Sequence, residues 1–160
     1  MNRESLMQSA SKLKQPGRDA AAEFEARRER LADELNQRMG ARPDLERLIG
    51  TGNRAMMEDN SRNFCRFMST LFRAHDARVL VETVLWVFRA YRSHGFQTCY
   101  WPAHLDTFVE LARADLSEKT FTELYPFWEW LIVNIPAFVA ESDAAVEAAA
   151  APGDHAKTVD

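Results

Sequence analysis

From Met56 to Phe138 the large apolar side chains return every three or four residues, which is the period of an α-helix viewed from one side. A helical segment from about Asn53 to Ala74 carries Met56, Met57, Phe64, Phe67, Met68 and Leu71 on one broad face, interrupted by Asn60. A second, from Asp76 to about Ser93, repeats the pattern with Val79, Leu80, Val84, Leu85, Val87, Phe88 and Tyr91. Its β-branched residues would suit a strand over Val79 to Val87, but its length and flanking charges favour a helix. A third, from Ser117 to about Glu141, carries Phe121, Leu124, Tyr125, Trp128, Leu131, Ile132, Ile135 and Phe138. Faces of this kind bury themselves only against other helices, so the expected class is all-α. The 6 Gly and 6 Pro are too few for the many turns of an all-β fold.

Punctuation places the boundaries. Pro16-Gly17 separates a polar arm, residues 1–16, read either as flexible or as a short docking helix. Arg18 to Met39 is rich in strong helix formers and carries a narrow stripe of Phe24, Leu31 and Leu35, which predicts a helix that buries little. Gly40 is expected beyond its end in the left-handed conformation. Pro43 to Ile49 reads as a short helix closed by Gly50, with Thr51 or Asn53 capping the next. Asp76 caps the following helix and Gly95 ends it. An irregular stretch from Phe96 to Trp101 precedes a helix opened by Pro102, and Ser117 opens the last one. Pro126 and Pro136 lie within that helix, where a kink or break is expected at one of them. After Ser142 the large apolar residues cease, and 142–160 is expected to be a disordered tail. Residues 17–141 then form one helical domain of about five to six helices, its core supplied almost wholly from Asn53 onward.

Several function classes fall away. A net charge of −4 gives no basic face for nucleic acid. No apolar run approaches the ~20 residues needed to cross a bilayer, so membrane insertion is not expected. Two cysteines, Cys65 and Cys99, do not make a disulfide framework, and a reducing, cytoplasmic location is expected. No phosphate-binding loop, nucleophile elbow or paired-histidine metal motif is present. The acidic pairs Glu58-Asp59 and Asp106/Glu110 read as solvated surface charge. Catalytic and metal-site residues are therefore assigned as none.

The aromatic residues are the more informative feature. Phe96, Tyr100 and Trp101 gather in one connection, and Tyr125, Phe127, Trp128 and Trp130 in the last helix. Adjacent aromatics on a helix point in different directions, so Phe127, Trp128 and Trp130 either meet a second element or form an interface, with Arg73, Arg89 and Arg92 available at its rim. His75 and His94 fall at helix ends, His104 in a first helical turn, and His155 in the tail. His94 or His104 is the better candidate for an axial ligand to haem or another tetrapyrrole, and Cys99 for covalent attachment of a chromophore. Cys65, beside Phe64 and Phe67, reads as a buried apolar side chain.

The stretch Asn63-Phe64-Cys65-Arg66-Phe67, followed by Ala90-Tyr91-Arg92-Ser93-His94-Gly95-Phe96 and Tyr125-Pro126-Phe127-Trp128-Glu129-Trp130, resembles the globin-like, often haem-free sensory domains of bacterial signalling proteins of the stressosome-regulator type. The resemblance covers about half the chain and implies a globin-like helical fold, homodimerisation, another signalling protein as partner, and signal reception without catalysis. The residues placed at the junction of the last three helices, as ligand-pocket or interface candidates, are Tyr91, His94, Phe96, Tyr100, Trp101, His104 and Trp128. A haem- or tetrapyrrole-binding sensor and a structural protein–protein adaptor are the alternatives.

Overall fold

The structure is a computed structural model that describes residues 2–150. Among these residues there are seven helices and no strand: α1 (Arg3–Ala10), α2 (Arg18–Gly40), α3 (Leu45–Ile49), α4 (Arg54–Arg73), α5 (Ala77–Ser93), α6 (Tyr100–Asp115) and α7 (Glu118–Ala150). The all-α reading holds, and the β-branched α5 is helical throughout. Asp76 caps it by accepting a hydrogen bond from the Val79 N–H at 3.1 Å.

Three boundaries differ from those read in the sequence. Gly40 is the last residue of α2 and Ala41 follows it in right-handed geometry, so Gly40 is not left-handed. Pro102 sits inside the first turn of α6, whose helix starts at Tyr100, because a proline without an N–H is tolerated where donors are unpaired anyway. The last helix neither breaks at Pro126 or Pro136 nor stops at Glu141. Both prolines are exposed, so the carbonyls they strand lie towards the solvent side of α7. The helix continues to Ala150 with Ser142 buried, which corrects the disordered reading for residues 142–150; residues 151–160, with His155, lie outside the described residues.

The N-terminal segment is a helix packed on the fold. Leu6 and Ala10 of α1 are buried, and α1 packs on α5 and α7. The larger correction concerns α2. Its apolar stripe is narrow, yet its alanines let neighbours approach closely, and α2 packs on α4, α6 and α7. Phe24 lies at the middle of the core, with ring centroids 5.0 Å from Phe72, 6.0 Å from Trp128 and 6.5 Å from Phe108. These edge-to-face and tilted pairs add about 0.5–1.5 kcal/mol each beyond the area they bury. Phe127, Trp128 and Trp130 are all buried, so the even choice between interface and core resolves as core. The exposed tryptophan is Trp86 on α5, at 65%.

The packing order explains where space is left. α2 holds α4 and α6, while α7 holds α6 and α5. α4 and α5 are consecutive in sequence but lie apart along most of their length.

Candidate functional site

The gap between α4 and α5 is a cavity of about 300 Å³, floored by α6 and α7. α4 contributes Asn60, Asn63, Phe64, Phe67 and Met68. α5 contributes Thr83, Val84, Trp86, Val87, Phe88 and Tyr91. α6 adds Trp101, His104 and Leu105, and α7 adds Leu131. Among the described residues, no lining side chain is Asp, Glu, Lys or Arg. A mainly apolar wall with a few polar groups is the usual make-up of a small-molecule site, at the small end of the size range.

A hydrogen-bonded clamp fixes the connection that builds the floor. The Asn53 side-chain amide donates to the carbonyl of Ile49 and to that of His94, each at 2.7 Å. The Gln97 N–H donates to the Leu48 carbonyl at 2.8 Å. Gly95, at φ 102°, supplies the turn that an L side chain rarely adopts. The chain leaving this turn delivers Phe96, Tyr100 and Trp101 inward. Phe96 and Trp101 meet Tyr91 edge to face at centroid distances of 5.0 and 5.9 Å, Tyr100 meets Phe96 and Trp101 in the same way at 5.0 Å each, and Trp101 stacks flat on Phe88 at 4.4 Å.

Two polar side chains are buried at the base of the cavity. Asn60 donates to the Tyr100 hydroxyl at 3.0 Å. Burial pushes the Tyr100 phenol well above its ordinary range, although the Asn60 hydrogen bond opposes this. His104 is 2% exposed, with its Nε2 3.3 Å from the Ser61 hydroxyl. Burial lowers its pKa from 6.5 to about 4, so it is a neutral imidazole at pH 7. The Ser61 hydroxyl donates its one hydrogen to the Met57 carbonyl at 3.3 Å, so the Nε2–H of His104 donates to Ser61 and Nδ1 is left as an acceptor. This pairing differs from a nucleophile–base pair. Ser61 is fully buried off the cavity wall, and among the described residues no carboxylate is hydrogen-bonded to the imidazole to orient it.

Of the seven candidates named from the sequence, Tyr91, Trp101 and His104 line the cavity. Phe96 and Tyr100 are buried in the aromatic layer against them. His94 is exposed at the end of α5 and presents its carbonyl, not its ring, to the clamp. Trp128 belongs to the cluster around Phe24 and is no part of the cavity wall. Its buried indole N–H has no hydrogen-bond partner among the described residues. The α4 wall, and the α5 wall apart from Tyr91, were not among the candidates. Their signal was the width of the apolar face around Asn60, broader than packing against one neighbour requires.

Elsewhere, Arg73 pairs with Glu25 and Arg92 with Asp143. Glu58, Asp59 and Glu110 pair with Arg54, Arg62 and Arg38 at the surface. Cys99 is exposed and Cys65 buried. Among the described residues no group of three or more His, Cys, Asp or Glu is placed to hold a metal ion, and no helix is long and apolar enough to cross a membrane. Comparison with known protein families, curated proteins and solved structures finds no match to this chain.

Proposed function

We propose that this chain is a non-catalytic sensor that takes up a small, mainly apolar molecule between α4 and α5 and passes its occupancy to a protein partner as a change in the spacing of those helices. The observation that carries the reading is the cavity of about 300 Å³ with no charged side chain among its described lining, left between two consecutive helices whose backbones do not approach closely. Side chains around a void lack contact partners on one side, and a ligand restores those contacts. A ligand shifts an equilibrium by its differential affinity for two arrangements, and one with α4 and α5 held apart suits a filled cavity. Trp86, on the rim and exposed, couples the cavity to the outer face of α5. The globin-like relationship, the homodimer and the signalling role belong to this proposal and rest on the sequence resemblance, and the cytoplasmic location on the two cysteines and the lack of a long apolar run in the sequence.

Benzene is a suitable first probe, since dry apolar cavities bind it. Bound benzene is expected to raise the melting temperature, slow amide exchange in α4 and α5, and shift the emission assigned to Trp86 by a Trp86→Phe control. Val84→Trp, which fills the half-buried α5 wall, is expected to abolish all three. No response of the wild-type protein to saturating benzene overturns the reading. Sedimentation with and without benzene tests the dimer.

A tetrapyrrole is the second reading, favoured by the neutral imidazole of His104 on the cavity wall, the protonation state that metal ligation requires. The residues fit it poorly, because Nε2 is already engaged by Ser61 while His94 and Cys99 lie off the wall. An absorbance spectrum of protein from cells supplied with haem precursor decides it. A Soret band lost in His104→Ala supports the tetrapyrrole, and bands from tryptophan and tyrosine alone exclude it.

A further inference from the structure

We infer that the cavity selects a neutral molecule of about two fused rings that carries one hydrogen-bond donor, directed at His104 and Asn60. The inference rests on the proposed ligand-binding role and names the ligand class. Size comes from the volume: 300 Å³ at ~30 Å³ per water is room for about ten waters, or a comparable number of non-hydrogen atoms. Neutrality comes from the wall, which offers no side-chain counter-charge, so an ion would lose its hydration without a partner. The donor requirement comes from the hydrogen bonds already made. His104 Nε2–H is given to Ser61, which leaves Nδ1 as an acceptor. The Asn60 amide gives one of its two hydrogens to Tyr100, so it keeps a second N–H as well as a carbonyl oxygen that can accept, and His104 Nδ1 is the group that can only accept. Both side chains are at most 5% exposed, so a ligand that brings a donor meets acceptors with little access to water. The stacked and edge-on rings of Phe64, Phe88 and Trp101 provide flat walls for a ring system.

Three probes of one shape separate these terms: 2-naphthol, naphthalene and 2-naphthoate, titrated calorimetrically into the full chain at pH 7. 2-Naphthol is expected to bind about tenfold more tightly than naphthalene, the effect of one hydrogen bond to a buried acceptor. 2-Naphthoate is expected not to bind measurably. In His104→Leu the preference for 2-naphthol is expected to shrink towards that supplied by Asn60 alone while naphthalene still binds. A merely structural role for His104 would weaken both alike and overturn the inference. Equal binding of 2-naphthol and naphthalene, or measurable binding of 2-naphthoate, overturns the ligand class. The cavity reading survives that result if naphthalene binding is lost in Val84→Trp. Binding of none of the three to the wild-type protein overturns both.

Discussion

Glu23 and Glu123 cap each other's helices. Glu123, on α7, accepts the backbone N–H of Gly17 at the head of α2. Glu23, on α2, accepts the backbone N–H of Ser117 at 2.9 Å and its hydroxyl at 3.3 Å, at the head of α7. Gly17 has no side chain to cap its own helix, so the cap comes from outside. The two carboxylates also sit at the positive ends of the two helix dipoles. Each Glu→Ala change is expected to cost about 1 kcal/mol in urea unfolding, the usual loss for a removed N-cap. Glu→Gln is expected to cost less, since its carbonyl oxygen still accepts. An unchanged midpoint in both alanine variants would show that these contacts do not hold the helices.

His104 predicts an acid-labile fold. Its folded pKa is about 4 against 6.5 for an unperturbed histidine, with burial as the cause. Between those values the unfolded chain binds a proton that the folded chain refuses. Stability from this group is therefore fully present above about pH 6.5, falls as pH drops, and levels off below about pH 4. The size is on the order of 3 kcal/mol. The groups in contact with the ring are Ser61, Tyr100 and Phe64, none of which titrates in that window. In His104→Leu the unfolding free energy is expected to change less between pH 4 and 6.5 than in the wild type, by about this amount. Parallel curves would contradict the buried neutral imidazole.

How much of this was legible depends on what a helix needs from its neighbours. The broad faces of α4, α5 and α7 announce themselves, because residues such as Phe64, Val84 and Trp128 recur at helical spacing whatever they pack against. The role of α2 was hidden because small residues carry it. Ala20, Ala21 and Ala32 are buried, but an alanine in a helix reads as propensity before it reads as contact. The cavity was half legible. Tyr91, Trp101 and His104 follow from the aromatic clustering, whereas the separation of α4 from α5 is a property of packing order that no local pattern encodes. Trp128, a candidate for the pocket, lies in the core, and Trp86, which the sequence did not single out, lies on the cavity wall, for a related reason. Periodicity says that a face is apolar but not which of two apolar faces meets the core, and the tryptophan left exposed was the one on α5.

The two cysteines are expected to separate cleanly in a labelling experiment. Cys65 is 1% exposed, and burial pushes its thiol up to about 12, with Arg28 only partly opposing. The thiolate is the reactive form, so Cys65 is both shielded and unreactive. Cys99 is exposed at the head of α6. Iodoacetamide at pH 8 is expected to add one equivalent to the native protein, mapped to Cys99 by mass spectrometry. A second is expected only under denaturing conditions. Rapid native labelling of Cys65 would mean that α4 opens away from α2 far more readily than its packing implies.

The N-terminal helix gives the last test, of whether α1 belongs to the folding unit. An eight-residue helix is too short to persist alone in water, so its order must come from docking. Leu6 is fully buried, the Trp130 indole donates to the Ser9 hydroxyl at 3.0 Å, and His75 Nε2 lies 2.9 Å from the Ala10 carbonyl. The last two contacts join α1 to α7 and to the connection between α4 and α5. Leu6→Ala is expected to lower the unfolding free energy by about 2–5 kcal/mol through the cavity it leaves. Ser9→Ala is expected to cost about 1–3 kcal/mol, because it strands the indole N–H of a tryptophan that is 8% exposed. If α1 only rests on the surface, Leu6→Ala will expose residues 11–15 to protease while leaving the urea midpoint where it was. A lowered midpoint with a single transition is the expected result, since α1 then unfolds together with α5 and α7 on which it packs.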